Sequence, residues 1–546
     1  MGVATATILS EGTAMDPGYD LLSLDIVKEV GRIPYAEVIV LDGSAAQQTF
    51  AISDTDFFEP GKAIEIKLRY EDDAGSEATV FKGVVTRHTV EARVTGSYLT
   101  VEMKDAAFKL TTTRKSKIFR DMTDDKAIGQ IVADQGLTTG TMETTQPEHA
   151  ELVQYYCTDW DFIRSRADAL GLLVVVNEGE ISLQKIDLSG SPAHTVEFGI
   201  SDIYTFEMEA DAGRQVESVE SIGWDVKAQK RTAPAKAAAF SLAQGNLKGD
   251  AIAKSIGNGA VILNSPTALD PAELQAWSDA GMIKSRMALL RGRIGLPGLA
   301  TVKLLDVVEI AGVGERFNGN TLVTGVRHQL GLEGWQTDVQ FGLSADWFSS
   351  ADDIVEPPAA GLLPGVNGLQ VGKVAAFEED PDGEFRVKVI LPGIDEKEGA
   401  VWARLAAPDA GPERGWFFRP EVDDEVIVGF LNDDPRQAVI LGSLYSSANA
   451  PPGAFSVDEE NLTKGIVTRS GATIGIVDDD KAQVFIETPG GNKLLLDDDG
   501  GALQLTDQNG NEIIMDANGV TIKSAKDLTL EASGNVEIKG AKVDVK

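Results

Sequence analysis

The sequence "LTLEASGNVEIKGAKVDVK", residues 528–546, decides how the C-terminal part of the chain can fold. It contains three pairs of apolar residues that begin eight and then seven residues apart, and one polar residue separates the members of each pair. These pairs are Leu528 and Leu530, Val536 and Ile538, and Val543 and Val545. Alternation of this kind is typical of β-strands. Because strands this short bury too little surface to be stable alone, a partner must cover their apolar side.

Short β segments of the same kind occupy residues 465–546. They are separated by turn sequences such as "DDDGG", "DQNGN" and "DANG". A regular succession of short strands and turns indicates a β-solenoid or a fibre.

Upstream, residues 369–445 alternate short apolar strands with turns rich in Asp, Gly and Pro. Five strands in about 80 residues without a helix fit a small closed barrel of the oligonucleotide- and oligosaccharide-binding (OB) type. Proline- and glycine-rich linkers flank this region, namely "EPPAAGLLPGVNG" at 356–368 and a segment containing Pro451 and Pro452. We therefore predict a domain at 1–355, a linker at 356–366, a barrel domain at 367–447, a second linker at 448–464 and a C-terminal segment at 465–546.

The region 1–355 combines strands with a few helices. Ile64, Ile66 and Leu68 alternate with charged residues, which predicts a half-buried strand. Helices are expected over about 124–135, after a cap at Thr158 or Asp159, and after "DPAEL", where an aspartate precedes a proline at the first helical position. The predicted fold class is mainly β.

The charge composition argues against several classes of partner. Lys and Arg number 49 against 85 Asp and Glu, which gives a formal net charge of −36. Binding to nucleic acid is not expected, because phosphate contacts need clustered cations. The single cysteine, Cys157, suits a reducing compartment. No cationic leader is recognisable at the start of the sequence, so we expect synthesis in the cytoplasm without a signal peptide.

The sequence offers no pattern for catalysis or metal binding. The four histidines lie far apart, and no Walker loop or nucleophile elbow is present. Two acidic turns, Asp497–Asp499 and Asp507–Asn511, partly resemble calcium loops but lack a glutamate at the twelfth position, so turn chemistry is favoured. We predict a protein that is not an enzyme and has no cofactor or metal, with Cys157 as a packed residue and with Trp402, Trp416 and Phe417 in the barrel core.

Stretches of two regions, the barrel and the part before it, resemble a known family. "DPDGEFRVKVILPG" and "VWARLAAPDAGPERGWFFRPEVDDEVIVGFLNDDPRQAVILGSLYSSANAPP" resemble the barrel of valine-glycine repeat (VgrG) spike proteins and phage baseplate spike proteins. "QYYCTDWDFIRSRADALGLLVVV" is similar to part of their N-terminal hub domain. We call residues 1–355 the hub and residues 465–546 the needle.

The resemblance implies a homotrimeric central spike of a contractile injection system. The hub would contain two β-barrels per chain and would dock a hexameric inner tube protein. Other baseplate proteins would surround the hub. The spike would cross a target membrane transiently by puncturing it. Some phage spikes carry a lysozyme between barrel and needle, but the 18 residues between Tyr445 and Lys464 cannot hold one. The particle would stay in the cytoplasm until it is fired or released. The type of injection system could be an extracellular contractile particle, a phage tail or a type VI secretion system. The compact length of the chain favours the first two types.

Three chains wrapped about one axis would provide the missing partner for the C-terminal strands. Each strand would pair with a neighbouring chain, and the exposed edges would close into an intertwined triple-stranded β-helix. Val536 and Ile538 would then point inward, and Glu537 and Lys539 outward. The predicted needle core comprises Leu528, Leu530, Val536, Ile538, Val543 and Val545.

The end of the needle is expected to receive another protein. Open strand ends invite capping, and the resemblance implies a small conical protein of the proline-alanine-alanine-arginine (PAAR) repeat class. The predicted contact residues are Lys542, Val543, Asp544, Val545 and Lys546. The alternative hypothesis is a secreted, fibre-like adhesin whose barrel binds saccharide; it is disfavoured because an adhesin needs no hub and would normally carry an export signal.

Overall fold

The computed structural model describes residues 2–94, 96–394 and 400–546. The chain divides into two compact units, Met1–Glu356 and Pro357–Lys546. Strands greatly outnumber helices in both units, which confirms the predicted mainly β fold class. In the part of the chain that the structure describes, no helix is both long and apolar enough to cross a membrane.

The first unit is built around one continuous sheet of thirteen strands. The strands of this unit are β1 (Ala4–Ser10), β2 (Thr13–Ala14), β3 (Leu21–Glu29), β4 (Tyr35–Leu41), β5 (Ala63–Tyr70), β6 (Asp73–Arg93), β7 (Gly96–Lys104), β8 (Arg114–Met122), β9 (Thr138–Met142), β10 (His149–Thr158), β11 (Leu173–Asn177), β12 (Glu180–Gln184), β13 (His194–Glu197), β14 (Thr205–Ala210), β15 (Val219–Ile222), β16 (Trp224–Asp225), β17 (Lys230–Arg231), β18 (Ala235–Lys236), β19 (Val261–Asn264), β20 (Leu290–Pro297), β21 (Val307–Ala311), β22 (Gly319–Gly331) and β23 (Gly334–Phe341). The main path of the large sheet runs β14-β20-β23-β22-β3-β4-β7-β6-β5-β1-β2, and β21 joins β13 to β22.

Two separate hydrophobic cores lie along this sheet. The first contains Ile64, Ile66 and Leu68, whose alternation with charged residues predicted a half-buried strand. The second contains Val323 and Val326 of β22 together with residues of β20 and β23. Strand β22 pairs directly with β3, so the two cores share one hydrogen-bonded framework. They lie where the resemblance implies two barrels.

The helices of this unit are α1 (Asp124–Asp134), α2 (Asp159–Ala169), α3 (Gly249–Ile256) and α4 (Pro271–Met287). Two of them, α2 and α4, begin where capping residues predict. The Thr158 hydroxyl accepts a hydrogen bond from the Asp161 amide at the start of α2. Asp270 caps α4 by accepting a bond from the Ala272 amide, and proline occupies the first turn. The predicted helices are confirmed, and α3 is a further helix that the sequence patterns did not predict.

A buried ionic cluster ties three of these helices to β10, which pairs with β8 in a separate two-stranded sheet. The fully buried carboxylate of Asp124 on α1 accepts hydrogen bonds from Arg166 Nε on α2, at 2.5 Å, and pairs with His149 Nε2 of β10 at 2.9 Å. Arg166 also reaches Glu273 Oε1 of α4 at 2.9 Å. Because buried charges are tolerated when they are paired and hydrogen-bonded, this cluster fixes the positions of α1, α2 and α4.

The second unit begins with the predicted closed barrel. Its strands are β24 (Gln370–Val374), β25 (Val387–Ile390), β26 (Ala400–Leu405), β29 (Glu425–Phe430) and β30 (Ala438–Ser443), and a small hairpin of β27 (Ala410–Gly411) and β28 (Arg414–Gly415) lies between β26 and β29. Val389, Val428 and Ile440 are fully buried inside it. Five strands that close on themselves confirm the predicted barrel.

The prediction that Trp402, Trp416 and Phe417 form the barrel core is wrong. Trp402 is half-buried on the outer side of β26, because the neighbouring Ala403 takes the inward position, and its ring lies beneath the cations of Arg386 and Lys388. Trp416 and Phe417 follow β28 outside the closed barrel and are 55% and 80% exposed.

The remainder of the second unit is a sheet of seven short antiparallel strands joined in sequence order. The strands are β31 (Thr463–Val467), β32 (Thr473–Val477), β33 (Gln483–Glu487), β34 (Lys493–Asp497), β35 (Ala502–Thr506), β36 (Glu512–Asp516) and β37 (Gly519–Lys523).

Candidate functional site

One face of the seven-stranded sheet is almost entirely apolar. Cross-strand register places one continuous row of neighbours on it: Ile466, Ile474, Ile486, Leu494, Leu505, Ile513 and Ile522. A second row on the same face consists of Lys464, Ile476, Val484, Leu496, Leu503, Met515 and Val520. We call these two rows the apolar face. Since side chains of a strand alternate between two sides, the period-two pattern of the sequence produces this segregation directly.

The opposite face is mixed in character. Polar and charged residues such as Gln483, Glu487 and Lys493 alternate there with a few apolar ones. The ring of Phe485 lies over Gly475, where an added Cβ would come within 2.3 Å of it. The Lys493 ammonium lies 5.3 Å from the centre of the same ring. Local contacts therefore cover the largest side chain on this face.

None of the described residues covers the apolar face in the same way. Its side chains are substantially exposed, for example Leu505 at 47% and Ile522 at 54%. Soluble monomers rarely expose a contiguous apolar surface of this length, and such patches mark interfaces. The apolar face is therefore the candidate functional site, and the function that it supports is binding to another protein surface.

The apolar pairs of this face continue beyond the last strand. Pairs begin nine or ten residues apart from Ile474 to Ile513, and seven or eight residues apart from Ile513 to Val543. Residues 524–546, all of which are described, form no strand in the single chain. The six predicted needle-core residues lie there and are exposed: Leu528, Leu530, Val536, Ile538, Val543 and Val545. Their burial around a common axis stays a prediction.

The five residues predicted to contact a tip protein are also exposed. An ion pair of 2.6 Å joins the Lys542 ammonium to Asp544 Oδ2, and Val545 is 93% exposed. Val543 lies between the two paired residues in the sequence, and Lys546 follows two positions after Asp544. The structure neither assembles these residues into a surface nor tests their role.

The acidic turn at Asp507 is held by its own carboxylate. That carboxylate accepts hydrogen bonds from the amide of Asn511 at 2.9 Å, from the Asn511 side chain at 2.7 Å and from the amide of Asn509 at 2.8 Å. These hydrogen bonds lower the pKa of Asp507 to about 2, and the bonds from Asn511 contribute most to the lowering. Aspartate side chains commonly stabilise turns in this way, by accepting hydrogen bonds from amides of the same turn. The lone pairs of the Asp507 carboxylate are therefore occupied by these bonds.

We predict that this turn loses stability in acid. The folded pKa lies below the ordinary aspartate value of about 3.9, so the contribution is complete above that pH and falls as the pH approaches 2. The difference in thermal midpoint between the native protein and Asp507→Ser should therefore shrink from pH 5 to pH 2. Millimolar calcium should change neither midpoint.

Asp480→Ser is the matched control, because the Asp480 carboxylate has no hydrogen-bond partner among the described residues. It should have a small effect at every pH. A calcium-dependent rise in the midpoint that disappears in Asp507→Ser would contradict the assignment as a turn and favour a metal site.

The other candidate reactive groups occupy structural positions. Cys157 is half-buried against the core that surrounds α1 and α2, and burial raises the pKa of its thiol, which is opposite to the change that activates a nucleophile. His328 is buried and bonded to Thr337, and burial lowers its pKa to about 3. Among the residues that the structure describes, no three His, Cys, Asp or Glu side chains are grouped to hold a metal ion.

Comparison with family models assigns three consecutive parts of the chain. Residues 1–331 match the Alg8 N-terminal domain. Residues 370–445 match the type VI secretion system/phage-baseplate injector OB domain. Residues 483–546, which include most of the seven-stranded sheet, match the phage baseplate V C-terminal trimerisation domain.

Individual proteins give shorter matches. The type VI secretion system spike protein VgrG2a of Pseudomonas aeruginosa is 29% identical over 167 residues, which are 28% of this chain and 20% of that protein. The actin cross-linking toxin VgrG1 of Vibrio cholerae serotype O1 is 33% identical over 96 residues, 16% of this chain and 9% of that protein. The chain thus spans a fifth or less of the length of these relatives. A tail protein from Neisseria meningitidis has a similar structure, with a TM-score of 0.47 and 13% identity, over 64% of this chain and 99% of its own.

The family matches follow the order of the observed parts, from the thirteen-stranded sheet through the closed barrel to the seven-stranded sheet. The first of them alone covers more than half of the chain. The chain belongs to the family of the Alg8 N-terminal domain and is a VgrG-like baseplate spike protein.

Proposed function

We propose that three copies of this chain form the central spike of a contractile, phage tail-like injection system. The observation that carries the proposal is the apolar face, whose two rows of side chains run across all seven strands and are left substantially exposed by the described residues. Three such faces turned toward one axis would bury one another, and closed rotational symmetry is the usual form of a homo-oligomer. The match of residues 483–546 to a trimerisation domain supports the number three.

The first unit would dock the hexameric inner tube. Its two cores, near Ile64–Leu68 and near Thr321–His328, would supply two tube-like modules per chain and six per trimer. Six modules match the symmetry of a six-fold ring, whereas three identical sites alone would not. This role, like the contacts with other baseplate proteins, rests on the family resemblance.

Tube docking should require the first unit. A tube ring from the same gene cluster should co-sediment with the full chain and should not bind a protein that starts at Asn367, which keeps the barrel and the needle. Equal binding of both proteins would show that the tube contacts the second unit and would refute the role of the hub.

The end of the needle would carry a tip protein of the PAAR class and, through it, cargo. Exposed Val543 and Val545, with Lys542, Asp544 and Lys546 beside them, would provide the contact. We expect one tip protein per three chains by native mass spectrometry, and no binding after removal of residues 540–546. A tip protein that binds the shortened chain equally well would contradict this placement.

The role proposed here is mechanical rather than catalytic. The spike would be made in the cytoplasm, assembled into a particle, and driven through a target membrane by contraction. Transient passage of this kind requires a rigid, continuous needle, which the mutual burial of three apolar faces would provide.

A saccharide-binding adhesin remains the second candidate, and one observation favours it. Trp416, Phe417 and Phe418 are exposed on the barrel domain, where aromatic rings could stack on sugars. Retention of the native protein on immobilised glycans, and loss of that retention in Trp416→Ala, would support the adhesin. We expect no retention.

A further inference from the structure

A cavity of about 690 Å³ lies within the first unit, and all of its lining residues belong to that unit. Residues of β3, α2, β14, α4, β20 and β23 line it. Its lining carries five cationic side chains, Arg32, Arg164, Lys284, Arg291 and Arg293, and five carboxylates, Glu29, Asp168, Glu207, Glu209 and Asp346. The volume is in the range of small-molecule sites.

Four of the five cations are paired with carboxylates. The pairs are Arg32 with Glu29 at 2.9 Å, Lys284 with Asp168 at 2.5 Å, Arg291 with Glu209 at 2.7 Å, and Arg293 with Glu207 at 3.2 Å. Asp346 is bonded to Arg214 at 2.8 Å. The charges that line the cavity are therefore largely satisfied before any ligand enters.

Arg164 is the exception. Its Nε is buried without a hydrogen-bond partner, and its guanidinium forms no ion pair with any described residue. The nearest carboxylate on its own helix, Asp168, is already used: one oxygen accepts from Lys284 and the other from the Phe348 amide at 2.9 Å. Burial, with Arg32 nearby, lowers the pKa of Arg164.

The surroundings of Arg164 hold the guanidinium in place without neutralising it. Its central carbon lies 4.9 Å from the centre of the Phe348 ring. On Gly31 an added Cβ would come within 2.4 Å of the same carbon, so the absence of a side chain at Gly31 leaves room for the guanidinium. Gly31 also has a φ of +70°, which favours glycine. A half-buried, positioned charge without an ion-pair partner is stabilised when a ligand compensates it.

The composition of the lining restricts the anion. Five carboxylates line the cavity, each paired with a cation, so a polyphosphate would meet stronger repulsion there than a ligand with a single negative charge. Apolar side chains complete the wall, among them Leu172, Met208, Ile283 and Phe341. The planar fork of an arginine fits a carboxylate in two-point contact.

We propose that this cavity binds a monocarboxylate carried on an apolar group, with the guanidinium of Arg164 as its anion contact. The carboxylate would come either from a small organic acid or from the C-terminal residue of a peptide with an apolar side chain. This site lies outside the needle and does not depend on the proposed spike role.

The test uses the full chain and two matched pairs of probes. Hexanoate is compared with hexanamide, and a short peptide ending in leucine is compared with its C-terminal amide, by calorimetry and by thermal midpoint. We expect each acid to bind and to raise the midpoint, while each amide does neither. Binding of hexanoate alone identifies a small acid as the ligand, and tighter binding of the peptide acid identifies a chain terminus.

Variants at Arg164 test its role. Arg164→Gln should weaken acid binding by about 10- to 100-fold, as expected when a charged hydrogen-bond partner is lost. Without ligand, its thermal midpoint should equal or exceed that of the native protein, because a half-buried charge without an ion-pair partner has been removed. A purely structural arginine would instead give a lower midpoint.

Two further variants keep the test decisive. Arg164→Lys retains the charge but not the fork and should show intermediate affinity. Arg87→Gln removes an exposed arginine that pairs with Glu102 outside the cavity, and it should bind like the native protein. The proposal is overturned if no acid binds the native protein or if amides bind as tightly as acids. It is also overturned if both Arg164→Gln and Arg164→Lys retain native affinity. If Arg164→Gln does not fold, the acid–amide comparison and the affinity of Arg164→Lys decide the question.

Discussion

Replacing Leu505 by aspartate is expected to abolish the trimer. Leu505 lies on β35, in the row of the apolar face that also holds Leu494 and Ile513. In the proposed trimer the change would remove three buried leucines, worth roughly 5–9 kcal/mol in total at about 1.5–3 kcal/mol each. It would also bring three carboxylates together in an apolar interior, which adds several kcal/mol more. Light scattering should then report single chains at a concentration where the native protein is trimeric.

Gln504 provides the matched control for this change. It is the preceding residue of the same strand and lies on the opposite face, between Leu495 and Ile514. Gln504→Asp introduces the same carboxylate one residue away and should leave the trimer intact. If both variants dissociate, or neither does, the apolar face is not the trimer interface.

The second large effect is expected in the distal part of the needle. Val536→Asp would place three carboxylates near the proposed axis, where like charges in an apolar interior cost several kcal/mol in total. The result should be a needle that frays from residue 524 onward, with rapid protease cleavage there. The chains should remain associated through the seven-stranded sheets, because the apolar face is unchanged.

Asn535→Asp is the control for Val536→Asp. The residue is the immediate neighbour, it also changes from neutral to charged, and it faces outward in the register that puts Val536 and Ile538 inside. Its protease resistance should match that of the native protein. Equal sensitivity of the two variants would show that the predicted register of the needle core is wrong.

Local signals in the sequence predicted the parts of the fold that depend on neighbouring residues. The caps at Thr158 and Asp270 mark the starts of α2 and α4, because a helix N-terminus is satisfied by side chains one turn away. The five strands of the barrel follow from alternation and turn residues within about 80 positions.

Features that depend on distant residues were not predictable in this way. The cluster of Asp124, Arg166 and Glu273 joins residues up to 149 positions apart, and no spacing rule connects them. Trp416 looked like a core residue because large aromatic rings are usually buried, but it follows a hairpin that lies outside the closed barrel. The unpaired state of Arg164 likewise appears only once its neighbours in space are known.

The candidate site lies between these two cases. Alternation in residues 465–546 predicts strands with one apolar side and hence the need for a cover, since one face of such strands cannot remain in water. The single chain arranges residues 463–523 as seven antiparallel strands, a pairing that the pattern alone does not distinguish from pairing between chains. Strand periodicity identifies the face, but not the partner that covers it.

The mass of the native protein in solution tests the central claim most directly. Each chain has a mass of 58.1 kDa. Size-exclusion chromatography with light scattering at micromolar concentration should give ~174 kDa, the mass of three chains, as expected for closed three-fold symmetry. A single species with the mass of one chain under these conditions would contradict the account.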